Sequence, residues 1–174
     1  MSSNSNQQNL NIIGSTEYVE IAGIKNIPAK IDTGADSSAI WASGINMQKD
    51  GKLVFFLFDP KSPHYNGRPL EFLSYKAKVV RSAHGDTQIR YQVKLPIRLG
   101  DKTFETNFTL ANRSRNSFPV LIGRHTIDDG DFLVDVSKSK VSRQKKAFTN
   151  HLNRELEEDP YKFHQKYIKL KGVK

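Results

Sequence analysis

The sequence predicts a mainly β chain that closes on itself as a small barrel and carries a short helical extension at its C-terminal end. Apolar or alternating runs recur about every ten residues from 17 to 110, with Gly, Pro, Asn and Asp between them, the spacing of short strands and tight turns in a barrel. Beyond residue 140 the period changes. Phe148, Leu152 and Leu156 stand at i, i+4, i+8, and Phe163, Tyr167 and Leu170 at i, i+4, i+7, each set on one face of a helix. Charge divides at the same place. The net charge is +9, and residues 138–174 hold eleven Lys/Arg against four Asp/Glu, so the barrel portion is close to neutral and the tail is basic. At 174 residues and 37% hydrophobic, the chain has material for one core and an appendage.

Residues 1–14 are rich in Asn, Gln and Ser and read as disordered. Residues 17–24 alternate, with Tyr18, Glu20 and Ala22 on one face, Val19 and Ile21 on the other, and Gly23 as the turn into a strand over 27–31. A strand over 38–42 leaves the following loop, and 53–58 is apolar enough for a core strand. Residues 59–69 contain Pro60, Pro63, Asn66, Gly67 and Pro69 and read as a loop. Strands follow over 72–80, 88–99 and 103–110, the last after a Gly100-Asp101 turn. Pro96 inside the second of these argues for an edge or a bulge. Asp159-Pro160 stops one tail helix and caps the next. The divisions are therefore 1–14, a barrel domain over 15–138 and a basic helical tail over 139–174.

The chemistry concentrates where the strand over 27–31 runs into Asp32-Thr33-Gly34-Ala35. A carboxylate at the end of an apolar strand is costly unless paired or hydrogen-bonded. Gly34 lets a backbone N–H come close, and Thr33, Ser37 and Ser38 are hydroxyl donors within reach. Other chemistries have less support. With no cysteine there is no thiol nucleophile, disulfide framework or thiolate metal site. His64, His84, His125, His151 and His164 form no His-Glu-x-x-His pattern. His125 with Asp128 or Asp129 is the nearest approach to a metal pair, and no metal ligand is assigned. No phosphate-binding Gly-x-x-x-x-Gly-Lys loop and no Gly-x-Ser-x-Gly turn occurs, so no cofactor is expected. No run reaches the roughly 18 apolar residues of a membrane span, and the N-terminal residues lack the order of a signal peptide. The expectation is a cytoplasmic protein without a membrane partner.

About 90 residues after the Asp-Thr-Gly comes Val120-Leu121-Ile122-Gly123-Arg124. The two motifs in this order resemble the active-site loop and its packing strand in retropepsin-like aspartic proteases. Together with Ala29-Lys30-Ile31, Val80-Arg81-Ser82-Ala83-His84-Gly85, Leu110-Ala111-Asn112-Arg113-Ser114 and Phe132-Leu133-Val134-Asp135, they are similar over residues 15–138 to a bacterial branch labelled "putative ATP-dependent zinc protease". That branch is associated with ATP-grasp ligases that add glutamate to a ribosomal protein. Asp36 departs from it, standing where a basic residue is expected.

The resemblance implies a closed retropepsin-like (acid protease) β-barrel. It implies Asp32, Thr33 and Gly34 as catalytic residues, supported by Ala35, Ser37, Leu121, Ile122, Gly123 and Arg124. It also implies a flap at His84 and Gly85, a stretch that reads equally as a surface turn. Hydrolysis by paired aspartates needs two carboxyl groups about 3 Å apart sharing a proton, and one chain supplies one. A homodimer with Asp32 contributed twice meets the need, with a peptide or protein as substrate. A second reading is a non-catalytic module of the same fold acting on an ATP-grasp ligase or its ribosomal substrate. The basic tail reads as a solvated helix or as a contact for RNA or an acidic partner.

Overall fold

The computed structural model describes residues 11–81, 87–141 and 146–168, and the chain divides into two compact units, Met1–Val141 and Ser142–Lys174. The first holds β1 (Asn11–Gly14), β2 (Thr16–Ile21), β3 (Ile24–Ile31), β4 (Ser38–Met47), β5 (Leu53–Leu57), β6 (Pro69–Phe72), β7 (Lys76–Arg81), β8 (Thr87–Leu99), β9 (Lys102–Ala111), β10 (Val120–Ile122), α1 (Arg124–Asp129) and β11 (Phe132–Asp135).

A closed ring of six strands runs β4, β10, β3, β2, β8, β9 and back to β4. The three residues of β10 close it. They lie parallel to β3, with Val120 opposite Ala29 and Ile122 opposite Ile31, and antiparallel to β4, with Val120 opposite Ile40. The period-two pattern sends alternate side chains inward. Ile27, Ala29 and Ile31 from β3, Leu95, Ile97 and Leu99 from β8, Phe108 and Leu110 from β9, and Val120 and Ile122 from β10 are all buried. Each large apolar side chain so buried contributes about 1.5–3 kcal/mol. The mainly β barrel that the sequence predicts is the fold observed.

Pro96 falls where the sequence places it. On one side β8 pairs with β9 throughout 92–99. On the other, β7 covers 87–92 and β2 covers 97–99, leaving 93–96 without a strand, where a missing N–H costs no ladder bond. The single strand expected over 72–80 is instead two. Pro69 opens β6, which pairs with β5 at the sheet's margin, and β7 starts anew at Lys76 to pair with β8.

Both ends of the barrel extend beyond their expected limits. Disorder through residue 14 is corrected at its end, because Asn11–Gly14 is a strand, parallel to β11 from Asn11 opposite Phe132 to Gly14 opposite Asp135, with Ile13 buried. Its polar neighbours in sequence mask a two-residue apolar signal whose partner lies 121 residues away; residues 1–10 lie outside the described part. The barrel also runs past 138. Lys138 O accepts from the Ser15 N–H at 2.7 Å, the Lys140 N–H donates to Thr16 O at 3.1 Å, and the Val141 N–H donates to the Thr16 hydroxyl at 3.0 Å. This strap brings a cation to Glu17, whose side chain is only 2% exposed. Glu17 Oε1 accepts from the Gly14 N–H at 2.7 Å. Lys140 Nζ lies 2.9 Å from Oε2 but out of line for a hydrogen bond, so this contact is one of charge.

The second unit contains α2 (Lys146–Glu158) and α3 (Pro160–Tyr167). Asp159 caps α3 as the sequence indicates, accepting from the Lys162 N–H at 2.9 Å with Pro160 in the first turn. Glu155 joins the helices, accepting from the Tyr167 hydroxyl at 2.8 Å and Lys166 Nζ at 3.0 Å. Of the two apolar faces, Leu152, Phe163 and Tyr167 are half-buried and Leu156 is exposed. The Phe148 side chain and Leu170 lie outside the described part.

Two outcomes follow. Truncation after Val141 should leave the barrel's unfolding transition in place, whereas truncation after Ser137 strands the buried Glu17 carboxylate without its cation and should cost about 3–5 kcal/mol in denaturant melts. In the tail, the Tyr167 hydroxyl first and Lys166 second hold the Glu155 carboxyl below its ordinary value. A depressed folded-state value contributes stability above the ordinary glutamate range that is lost as pH falls through the folded value. Protection of the α3 amides, taken relative to intrinsic exchange at each pH, should therefore fall on acidification through that window, and Glu155→Gln should remove that fall.

Candidate active site

Strand β3 delivers Asp32 at its end, and β10 holds it there. The Asp32 N–H donates to Ile122 O at 2.9 Å, continuing the β3–β10 ladder by one bond, and the loop then turns with the Ala35 N–H on Asp32 O at 3.1 Å. The far side of the loop is tied to the start of α1, where the Arg124 N–H donates to Ala35 O at 2.7 Å and the His125 N–H to Asp36 O at 3.2 Å. Gly123 makes this approach possible. A Cβ there would lie 2.7 Å from the Ser37 carbonyl carbon and 2.8 Å from Ala35 O, closer than real Cβ atoms come.

Beneath the loop runs a chain of hydroxyls. The Gly123 N–H donates to Ser38 Oγ at 3.0 Å, Ser38 Oγ shares a hydrogen bond with Thr126 Oγ1 at 2.7 Å, Thr126 with Thr106 at 3.0 Å, and Thr106 donates to Asp129 Oδ2 at 2.9 Å. Ser38, Thr106 and Thr126 are buried, so each polar atom needs the partner it has. Sequence reasoning placed Thr33, Ser37 and Ser38 as donors to the Asp32 carboxylate, and the structure corrects this. Ser38 faces β10 and α1, Ser37 contributes its backbone against Gly123, and the exposed Thr33 hydroxyl makes no hydrogen bond among the described residues.

The carboxylate has two other partners. Asp32 Oδ1 accepts from the Gly34 N–H at 3.1 Å, and Oδ2 is 3.1 Å from Lys30 Nζ. The Asp32 side chain is 27% exposed, and Thr33 and Gly34 are exposed beside it. Asp36, the departure from the expected basic residue, forms an ion pair with Arg124. Both are largely exposed, so the pair is worth about 0–1 kcal/mol. Of the support residues, Ile122 and Gly123 are buried against the loop, Leu121 is half-buried opposite Lys30, and Arg124 begins the helix. His84 and Gly85 lie outside the described residues, although β7 and β8 form the hairpin that carries them, in register from Lys76 opposite Gln92 to Arg81 opposite Thr87.

Arg113 was missed as a neighbour of this site. It is half-buried, with Nε donating to Phe118 O at 3.1 Å. Burial pushes its guanidinium below the ordinary value, the like charge of Arg90 adds to this, and the charge of Asp32 opposes it. Residues 32, 90 and 113 come from three separate strands and loops, and no local pattern announces their proximity.

A known family matches the part of the chain that holds both the Asp32 loop and β10. The family model "RimB-like: Retropepsin-like aspartic endopeptidase RimB" matches residues 12–145. The chain belongs to the RimB-like family. The match takes in β1 and the strap after β11, so both corrected ends belong to the RimB-like unit. A probable alpha-L-glutamate ligase of Desulfotalea psychrophila is 29% identical over 157 residues, covering 82% of this chain and 33% of that protein. One from Shewanella pealeana is 33% identical over 135 residues, covering 74% of this chain and 29% of that protein. The RimB-like chain thus spans about a third of the length of the curated relatives it matches. The crystal structure of a protein of unknown function from Legionella pneumophila is similar with a TM-score of 0.59 and 29% identity, over 74% of this chain and 95% of that one.

Gly123→Ala should destabilise the barrel by about 1–3 kcal/mol, since backbone rather than a flexible side chain must yield. At Gly34 the nearest atom to an added Cβ is Asp32 Oδ1 at 3.4 Å, an ordinary contact, so Gly34→Ala should melt close to the parent in the same calorimetric scan.

Proposed function

We propose that this protein is an aspartic endopeptidase whose active unit is a homodimer with Asp32 from each protomer forming the catalytic pair. The observation that carries this reading is the presentation of Asp32. A loop tied by backbone hydrogen bonds holds the carboxylate partly exposed, with Oδ1 accepting from the Gly34 N–H and Oδ2 facing Lys30. Lys30 meets Oδ2 in the single protomer. Its ammonium sits on a long flexible stem and its side chain is 49% exposed, so a partner carboxylate can take its place at little cost.

In the pair, two carboxyl groups about 3 Å apart cannot both ionise, and they hold one proton between them. The ionised member takes a proton from the attacking water while the protonated member hydrogen-bonds the scissile carbonyl oxygen. Collapse of the tetrahedral intermediate breaks the C–N bond and returns a proton to the leaving amine. Thr33, exposed at the loop tip, serves as the brace to the other protomer. Gly34 and Ala35 supply the close backbone, Ser37, Leu121, Ile122, Gly123 and Arg124 hold the loop, and His84 and Gly85 form the flap over a peptide or protein substrate. The pair titrates as a unit, with activity highest below neutral pH, and the setting is cytoplasmic.

The relatives support a second reading. Proteins named probable alpha-L-glutamate ligase contain a segment like this one within a chain about three times as long. That favours a RimB-like module working on an ATP-grasp ligase or its ribosomal substrate without hydrolysis, with the basic tail as a contact for an acidic partner.

A peptide-library assay between about pH 4 and 7, with and without chelator, separates the readings. Asp32→Asn should abolish cleavage while leaving the melting temperature and the dimer unchanged, and chelator should have no effect. Cleavage that survives Asp32→Asn contradicts the mechanism. The absence of cleavage by the parent protein under every condition favours the module.

A further inference from the structure

None of residues 32–37 lines a cleft of about 790 Å³. Its size is that of a small-molecule site. One wall is the loop after β5, built on Phe58, a buried bulky residue at φ 66°, a conformation such residues rarely adopt. That loop is knitted by the Ser62 N–H on Asp59 O at 2.7 Å and the Lys61 N–H on Asp59 Oδ1 at 3.1 Å. The other wall is the segment 112–116, and Trp41 of β4 lines the cleft between them.

The polar groups on these walls are unbalanced. Arg113 and Lys61 bring two cations, while the one lining carboxylate, Asp59, already accepts from its own turn. Arg113 is half-buried, gives Nε to a neutral carbonyl, and has no carboxylate within ion-pair distance among the described residues. Its terminal nitrogens hold no partner among them either. A half-buried guanidinium without a counterion is in an unfavourable state that a planar oxyanion relieves, because two parallel N–H···O bonds match its fork. Asn112 and Asn116 add amide donors on the same wall, and the indole of Trp41 offers a flat apolar surface.

We infer that this cleft is a binding site for a small ligand carrying an oxyanion, carboxylate or phosphate, next to a flat apolar body that lies against Trp41. Arg113 also feels the charge of Asp32, but no residue of the Asp32 loop lines the cleft, and the test needs no peptidase activity.

Trp41 is the chain's one tryptophan, so its emission reports the cleft directly. The full-length protein is titrated with phenyl phosphate, benzoate and inorganic phosphate, with isothermal calorimetry run in parallel. The expected result is a saturable change in Trp41 emission with a ring-bearing anion, with tighter binding than inorganic phosphate. The order of phenyl phosphate and benzoate identifies which oxyanion the site prefers. Arg113→Gln should weaken binding about tenfold or more, the loss of one charge-assisted contact. Lys61 is exposed, and Lys61→Met should weaken binding in the same direction even where Arg113→Gln fails to fold. Linear quenching without saturation for all three probes would overturn the inference. So would unchanged affinity in the folded variants, or inorganic phosphate binding as tightly as the ring-bearing anions.

Discussion

The structure depends on a three-residue strand inserted between the two strands that lead into and out of the Asp32 loop. Without β10, β3 and β4 would have no common neighbour and the six-strand ring would be open. With it, the Asp32 N–H gains a strand-like bond to Ile122 O, and two residues later the chain is tied to the other side of the same loop through Arg124 and His125. Closure of the barrel and fixation of the carboxylate are therefore one event. Gly123 lies at the centre of it because backbone meets backbone there with no room for a Cβ. The buried Ser38, Thr126 and Thr106 hydroxyls satisfy the polar atoms that so tight a junction would otherwise leave unpaired.

The cationic groups near Asp32 follow from the same closure. Lys30 faces outward because Ile31 and Ala29 on either side face the core, and period two leaves its ammonium beside the carboxylate at the strand end. Arg113 is brought near by the long connection from β9 to β10, anchored on the carbonyl of Phe118 just before the closing strand. Thr33 and Gly34 at the loop tip are exposed beside the carboxylate, as the proposed dimer requires.

The sequence makes the barrel and the core of the site readable, for a local reason. Asp32-Thr33-Gly34 and Leu121-Ile122-Gly123-Arg124 are contiguous, so their residue types carry the signal, and Asp159-Pro160 announces a helix cap within two residues. What escaped notice depends on residues distant in sequence. The β1–β11 pairing joins residues 121 apart, and Asn11 and Gly14 weaken the apolar pattern around Ile12 and Ile13. The strap after β11 reads as the beginning of a basic tail until Lys140 is seen beside the buried Glu17. Ser38 reads from the sequence as a donor to the carboxylate six residues back, but its oxygen accepts from the Gly123 N–H, 85 residues on, in a buried setting that no local pattern marks. Pro96 shows the converse, a local constraint that predicted a gap in strand pairing without identifying the strands on either side of it.

The central claim is that one active site needs one Asp32 from each of two chains, and mixing tests it most directly. Parent protein and Asp32→Asn protein are unfolded together and refolded at constant total concentration over a range of ratios, and peptide cleavage is measured at each. If each site takes a carboxyl from both protomers, only parent–parent dimers are active, and cleavage falls as the square of the parent fraction. Cleavage that falls in direct proportion to the parent fraction, with dimers formed, would mean that each chain works alone and would contradict the account.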